Sequence, residues 1–144
     1  MDTKLIEDTI SMLEETIDPD AVIALDADEH GLEKMVTLLH SYEITHSRKM
    51  TILGCYILLQ LAVSKHHEAE PDENGAITRS ILDGDYCFGL YFRILIQFSE
   101  LKLLTYLAPV QKKIQLNLIS GKPMNHILTE LYEPFRLYLN EQCA

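Results

Sequence analysis

The sequence is poor in residues that turn a chain sharply. Only 6 Gly and 5 Pro are spread over 144 residues, too few for the closely spaced hairpins of an all-β domain. Cysteine is scarce as well. Cys55, Cys87 and Cys143 are odd in number and lie far apart, with no CxxC pair. That excludes a zinc knuckle or a thioredoxin-type redox site and argues against a disulfide framework. Basic side chains are in deficit: 12 Lys and Arg stand against 22 Asp and Glu, for a net charge of -10. General nucleic-acid binding needs the opposite sign. There is no long hydrophobic run either. The longest, residues 50–63, is interrupted by Thr51, Gly54 and Gln60 and falls short of the roughly 20 residues that span a bilayer. It reads as a helix buried on nearly all sides. Residues 1–8 have no basic segment followed by an apolar one, so they do not read as a signal peptide, and the cytoplasm is the expected compartment.

The residues that are present point to helices. The composition is 47% hydrophobic and 24% charged, ordinary for a globular domain, and the length suits one domain over residues 1–144. Leu5, Ile6, Ile10, Leu13 and Ile17 recur at helical spacing, and Asp18-Pro19 ends that segment. A short helix is expected over 20–25. A second amphipathic helix carries Leu32, Met35, Val36, Leu39 and Tyr42 on one stripe, and Ser47 is a candidate cap for a helix over 48–65. Residues 66–75, with Pro71 and Asn74-Gly75, read as a loop. Helical patterns follow over about 77–98, over 101–119 with a kink at Pro109, and over 124–142 with an interruption at Pro134. Gly121-Lys122-Pro123 separates the last two. No stretch alternates with period two. The expectation is all-α: a single antiparallel bundle of about seven helices.

Candidate chemistry is sparse. His66-His67-Glu68-Ala69-Glu70 is the one tempting metal cluster, but adjacent histidines do not share a helical face as an i, i+4 pair does. His30, His40, His46 and His126 are scattered, in keeping with surface or capping roles. Asp26, Asp28 and Glu29 lack the spacing of an EF-hand loop. Gly121-Lys122 lacks the first glycine of a P-loop, and no GxSxG occurs. The aromatic run Tyr86, Phe88, Tyr91, Phe92 and Phe98 has Gly84 and Gly89 among it. It reads either as core or as a face that meets another subunit. Glycine inside a helix costs about 1 kcal/mol against alanine and is usually kept where another backbone packs close.

The segment 81–92, Ile-Leu-Asp-Gly-Asp-Tyr-Cys-Phe-Gly-Leu-Tyr-Phe, resembles a stretch of the trans-prenyl diphosphate synthases. Their Leu-Ala-Gly-Asp-Tyr-Leu pattern is matched by Leu82, Gly84, Asp85 and Tyr86, with Asp83 in place of alanine. Upstream, Ala62 and His66 match the family's His-x-Ala and the first residue of its His-Asp-Asp-x-x-Asp metal motif, with Gln60 in place of the earlier histidine. The aspartates themselves are replaced: His67-Glu68 for the pair and Pro71 for the third. Of the arginine pair that follows them, Arg79 stands alone.

In this family the aspartates hold Mg²⁺ ions that bind the allylic diphosphate and assist its departure. The resemblance therefore implies a half-size, isoprenoid-synthase-like chain with no catalytic or metal residues of its own. That is the pattern of the small subunit (component 1) of the heterodimeric hexaprenyl or heptaprenyl diphosphate synthases, which make menaquinone side chains. It implies a catalytic large subunit in trans that carries both aspartate-rich motifs and the Mg²⁺. This chain alone would be inactive, docking on the partner and helping to set product length. By position, the resemblance puts Asp85, Tyr86, Gly89, Leu90, Arg93, Ile94 and Gln97 at or near the interface, with the helix over 101–119 beside them. Two other readings stay open: an acidic helical interaction module unrelated to prenyl transfer, and a small metal-dependent hydrolase using His66, His67, Glu68 and Glu70.

Overall fold

The computed structural model describes residues 2–25, 29–67 and 76–144. Among them the chain is all helical: six α-helices, α1 (Thr3–Thr16), α2 (Glu29–His40), α3 (His46–His67), α4 (Ala76–Gln97), α5 (Leu101–Ile119) and α6 (Met124–Gln142), with one 3-10 turn at Pro19–Ala21. Helix α1 begins where the Asp2 carboxylate accepts a hydrogen bond from the Leu5 N–H at 3.2 Å, satisfying one of the free donors of the first turn. Its i, i+4 stripe of Leu5, Thr9, Leu13 and Ile17 is buried. Thr9 survives there because its hydroxyl donates to the Leu5 carbonyl at 2.7 Å.

The short helix expected over 20–25 is only the 3-10 turn. Asp18 caps it by accepting from the Asp20 N–H at 2.9 Å. Val22 then enters the left-handed region at φ 50°, and residues 22–25 are not helical. The cap of α3 is Thr45 rather than Ser47: the Thr45 hydroxyl accepts from the Arg48 N–H at 3.2 Å, and Ser47 is already the second residue of the helix. Helix α3 also runs on through His67, past the expected loop boundary at His66.

Helix α3 is the axis of the molecule. Every residue from Thr51 to Val63 is buried, because α1, α2, α4, α5 and α6 all pack around it. This is the all-round apolar helix that the 50–63 stretch foretold. Gly54 lets α1 approach: a Cβ there would lie 2.9 Å from the Met12 methyl and 3.4 Å from Leu13. On another side, Tyr56 meets Phe135 of α6 edge-on, with ring centroids 5.4 Å apart.

Helices α4 and α5 form an antiparallel hairpin closed by a three-residue turn. Ser99 sits at φ 59°, the Glu100 N–H reaches the Leu95 carbonyl at 2.8 Å, and the Ser99 N–H reaches Ile96 at 3.3 Å. This is a Schellman motif with serine where glycine is usual. Helix α5 ends the same way, with Gly121 at φ 74° and the Lys122 N–H on the Asn117 carbonyl at 3.1 Å. Helix α5 continues through Pro109, and α6 continues through Pro134 without the interruption expected there.

Candidate functional site at the outer side of helices 4 and 5

The two segments that carry the resemblance, 62–66 and 82–86, meet in space. His66, near the end of α3, lies directly over Gly84 of α4: a Cβ at Gly84 would stand 2.1 Å from the imidazole Cδ2. The ring Nε2–H points to two acceptors, the Asp85 carboxylate at 3.0 Å and the Ile81 carbonyl at 3.2 Å. Phe88 covers the ring from one side, centroids 5.5 Å apart. Glycine was expected where a backbone packs close; here a flat imidazole takes the room. Tyr86 completes a second tie. Its hydroxyl accepts from the Asp18 N–H at 2.9 Å, so the Gly-Asp-Tyr triplet fastens α4 both to α3 and to the corner after α1.

The remaining interface candidates divide by burial. Asp85, Gly89, Arg93 and Gln97 are exposed, and Tyr86 is half-buried. Leu90 and Ile94 are 4% and 0% exposed and belong to this chain's own core. They stand behind the outer face of α4 and do not present themselves to a partner. The aromatic run is likewise mostly core: Phe88 and Tyr91 are buried, and the Tyr91 hydroxyl donates to Gln111 of α5. Only Phe98 of that run is exposed. What faces outward is aliphatic: Leu82 and Ile96 on α4, and Leu101, Leu116 and Ile119 on α5, with Leu82 60% and Ile119 83% exposed. Between the N-terminal end of α4 and the C-terminal end of α5, His66, Ile81, Gln115, Leu118 and Ile119 line a cleft of about 430 Å³.

Little else in the described residues is equipped for chemistry. No three His, Cys, Asp or Glu side chains among them come together as metal ligands. The Nε2 of His66 is engaged as described, and His67 is exposed. Asp26, Asp28, Glu68, Glu70 and Pro71 lie outside the described residues, and Glu29 starts α2. His40, His46 and His126 each meet a carboxylate, of Asp2, Asp8 and Glu130, at 2.9, 2.8 and 3.2 Å. Burial pushes the Cys87 thiol up to about 11 and the Cys55 thiol higher still; neither is a ready thiolate nucleophile.

One polar cluster was not foreseen in the sequence. Glu100, 5% exposed, accepts from Arg48 Nε at 2.5 Å and from Nη2 at 3.0 Å. The Tyr138 hydroxyl accepts from Arg48 Nη2 at 2.8 Å and donates to Glu100 at 2.8 Å. Glu100 raises the Arg48 pKa through these bonds, and burial raises that of Tyr138. The cluster joins α3, the α4–α5 turn and α6. Gln60 is also buried, and its Oε1 has no hydrogen-bond partner among the described residues.

No protein-family model, curated protein sequence or solved structure matches this chain. No helix among the described residues is long and apolar enough to cross a membrane.

Proposed function

We propose that this chain is the small, non-catalytic subunit of a heterodimeric medium-chain prenyl diphosphate synthase. The observation that supports the reading is the meeting of the two resembling segments. Gly84 leaves the room that His66 occupies, and Asp85 takes the imidazole N–H. The residues retained from the motif thus have a shared use in the fold, although the aspartates that would hold Mg²⁺ are replaced. The catalytic metal, both diphosphates and the ionisation step belong to the large subunit. This chain contributes a rigid helical hairpin whose outer aliphatic side lies against the partner and bounds the space for the growing apolar product.

The test is reconstitution with farnesyl diphosphate, isopentenyl diphosphate and Mg²⁺. This chain, an aspartate-rich large subunit from the same cells, and the mixture are compared. Only the mixture is expected to release a prenyl diphosphate, of about C30–C35 by analogy with the family. Bulkier or smaller residues along the outer face of α4 and α5 are expected to move the product by about one isoprene unit, since a tunnel floor limits length by volume. An inert mixture sinks the reading and leaves an acidic helical interaction module in its place.

A further inference from the structure

The charge of the molecule is divided unevenly. Residues 76–122, which build the α4–α5 hairpin and its end, hold six of the 12 basic residues but only three of the 22 acidic ones. One of those three, Glu100, is buried against Arg48. The remaining 97 positions carry six basic and nineteen acidic residues. The basic segment of an acidic protein is therefore also the one that carries most of the exposed large aliphatic side chains among the described residues. Helical spacing puts Arg93 near Leu82, Gly89 and Ile96 on the outer stripe of α4. It puts Lys112 between Leu101 and Ile119 on that of α5. Both cations are exposed, and neither forms an ion pair with a described residue. The middle of the face is low, since Gly89 has open space where a side chain would stand and Ala108 is small and exposed.

We propose that this face receives an acidic amphipathic helix of the partner chain, laid along the seam between α4 and α5. Its apolar stripe covers the aliphatic ends of the face, and its carboxylates meet Arg93 and Lys112. The identity of the partner rests on the subunit reading above; the chemistry of the occupant rests on the charge division. The 19 residues of α5 extend for about 28 Å, so a helix of similar length engages both ends. A lipid surface fits less well. Stable attraction to anionic lipid takes a cluster of about four to eight cations, whereas the docked helix meets two, Arg93 and Lys112, the hairpin's Lys113 being paired with Glu130, and the acidic remainder of the molecule is repelled by the same surface.

The probe is a pair of labelled synthetic helices of about 20 residues, each with one leucine stripe. One carries glutamate and the other lysine at the polar positions. Each is titrated onto the full chain at low salt and followed by anisotropy. A net charge of -10 acting at a distance favours the lysine peptide, so the proposal predicts the opposite of the default. The glutamate peptide is expected to bind at least about tenfold tighter, a difference of about 1.4 kcal/mol. Arg93→Glu with Lys112→Glu should reverse the preference, and the Gln variants at both positions should abolish it. Leu116→Asp should weaken both peptides, with circular dichroism confirming that each variant is folded. Equal binding, or preference for the lysine peptide, overturns the proposal. So does binding to phosphatidylglycerol vesicles that the same charge reversals remove, or a homodimer in sedimentation equilibrium that Leu116→Asp dissolves. An active reconstituted enzyme with no peptide preference refutes the charge pattern alone. A clear preference with an inert mixture keeps the docking face and removes the prenyl assignment.

Discussion

Two glycines on one helix have opposite duties. At Gly84 a methyl group collides with the His66 ring, so Gly84→Ala is expected to destabilise by about 1–3 kcal/mol through overpacking. Gly89 faces open space, so Gly89→Ala is expected to stabilise the free chain by about 0.5–1 kcal/mol through helix propensity alone. Urea denaturation of both variants checks the contrast, and adding His66→Ala should recover part of the Gly84→Ala loss. Helical spacing does not separate these glycines, because both lie at helix-interior positions among aromatics; only the course of α3 decides which one is covered. Arg48→Ala leaves the Glu100 carboxylate buried without its counterion, an expected loss of about 3 kcal/mol, whereas Glu100→Gln keeps some of the hydrogen bonds and should cost less. That pair was also illegible in advance, since its members are 52 residues apart and nothing local marks them. Thiol titration offers a further check. Only the half-buried Cys143 should react promptly in the native protein near pH 8, and all three cysteines in denaturant.

Among the elements, the helices with clear punctuation were the most legible. The span 101–119 was readable because apolar residues recur through it at helical spacing and Gly121-Lys122-Pro123 closes it. Residues 20–25 misled because Pro19 and Asp20 are good helix starters, yet Val22 turns left-handed immediately after them. A β-branched residue there is strained by roughly 1–2 kcal/mol. Val22→Gly is therefore expected to raise the melting temperature, the relieved strain outweighing the roughly 0.5–1 kcal/mol of glycine's extra entropy in the unfolded chain. Helix α4 was read only in part because it carries two apolar stripes: Cys87, Tyr91, Ile94 and Leu95 face in, while Leu82 and Ile96 face out. Periodicity shows that such a helix exists but does not rank its faces; the resemblance, by position alone, puts Leu90 and Ile94 at an interface, and they lie in the core. Helix ends also set the response to acid. The Leu5 N–H holds the Asp2 carboxyl below its ordinary value of 3.8, and the His46 hydrogen bond does the same for Asp8. A carboxyl depressed in the folded state contributes stability above its unfolded pKa and loses it as pH falls through the folded value. Thermal melts should therefore be level near neutrality and fall below about pH 4, with a smaller fall in Asp8→Asn.

For the molecule as a whole, the all-α class followed from composition and spacing, since few turn residues and no alternating pattern leave only helices. The candidate site was legible where the segment 81–92 resembles a known motif and illegible where it depends on which sides of α4 and α5 are left uncovered. The enclosure of α3 has a consequence in time as well as in space. The helix leaves the ribosome before α4, α5 and α6 exist to cover it. Its last buried residue, Val63, precedes the end of α6 at Gln142 by 79 positions, which is roughly 4–16 s of synthesis at ordinary rates. Until α4 is complete at Gln97, thirteen consecutive buried positions have no C-terminal cover, so the nascent chain must be shielded by a chaperone or wait, loosely collapsed on α1 and α2, for the second half to arrive. Stalling synthesis between residues 67 and 100 should therefore yield chains that chaperone depletion drives to aggregate, whereas chains released after 142 should not depend on it.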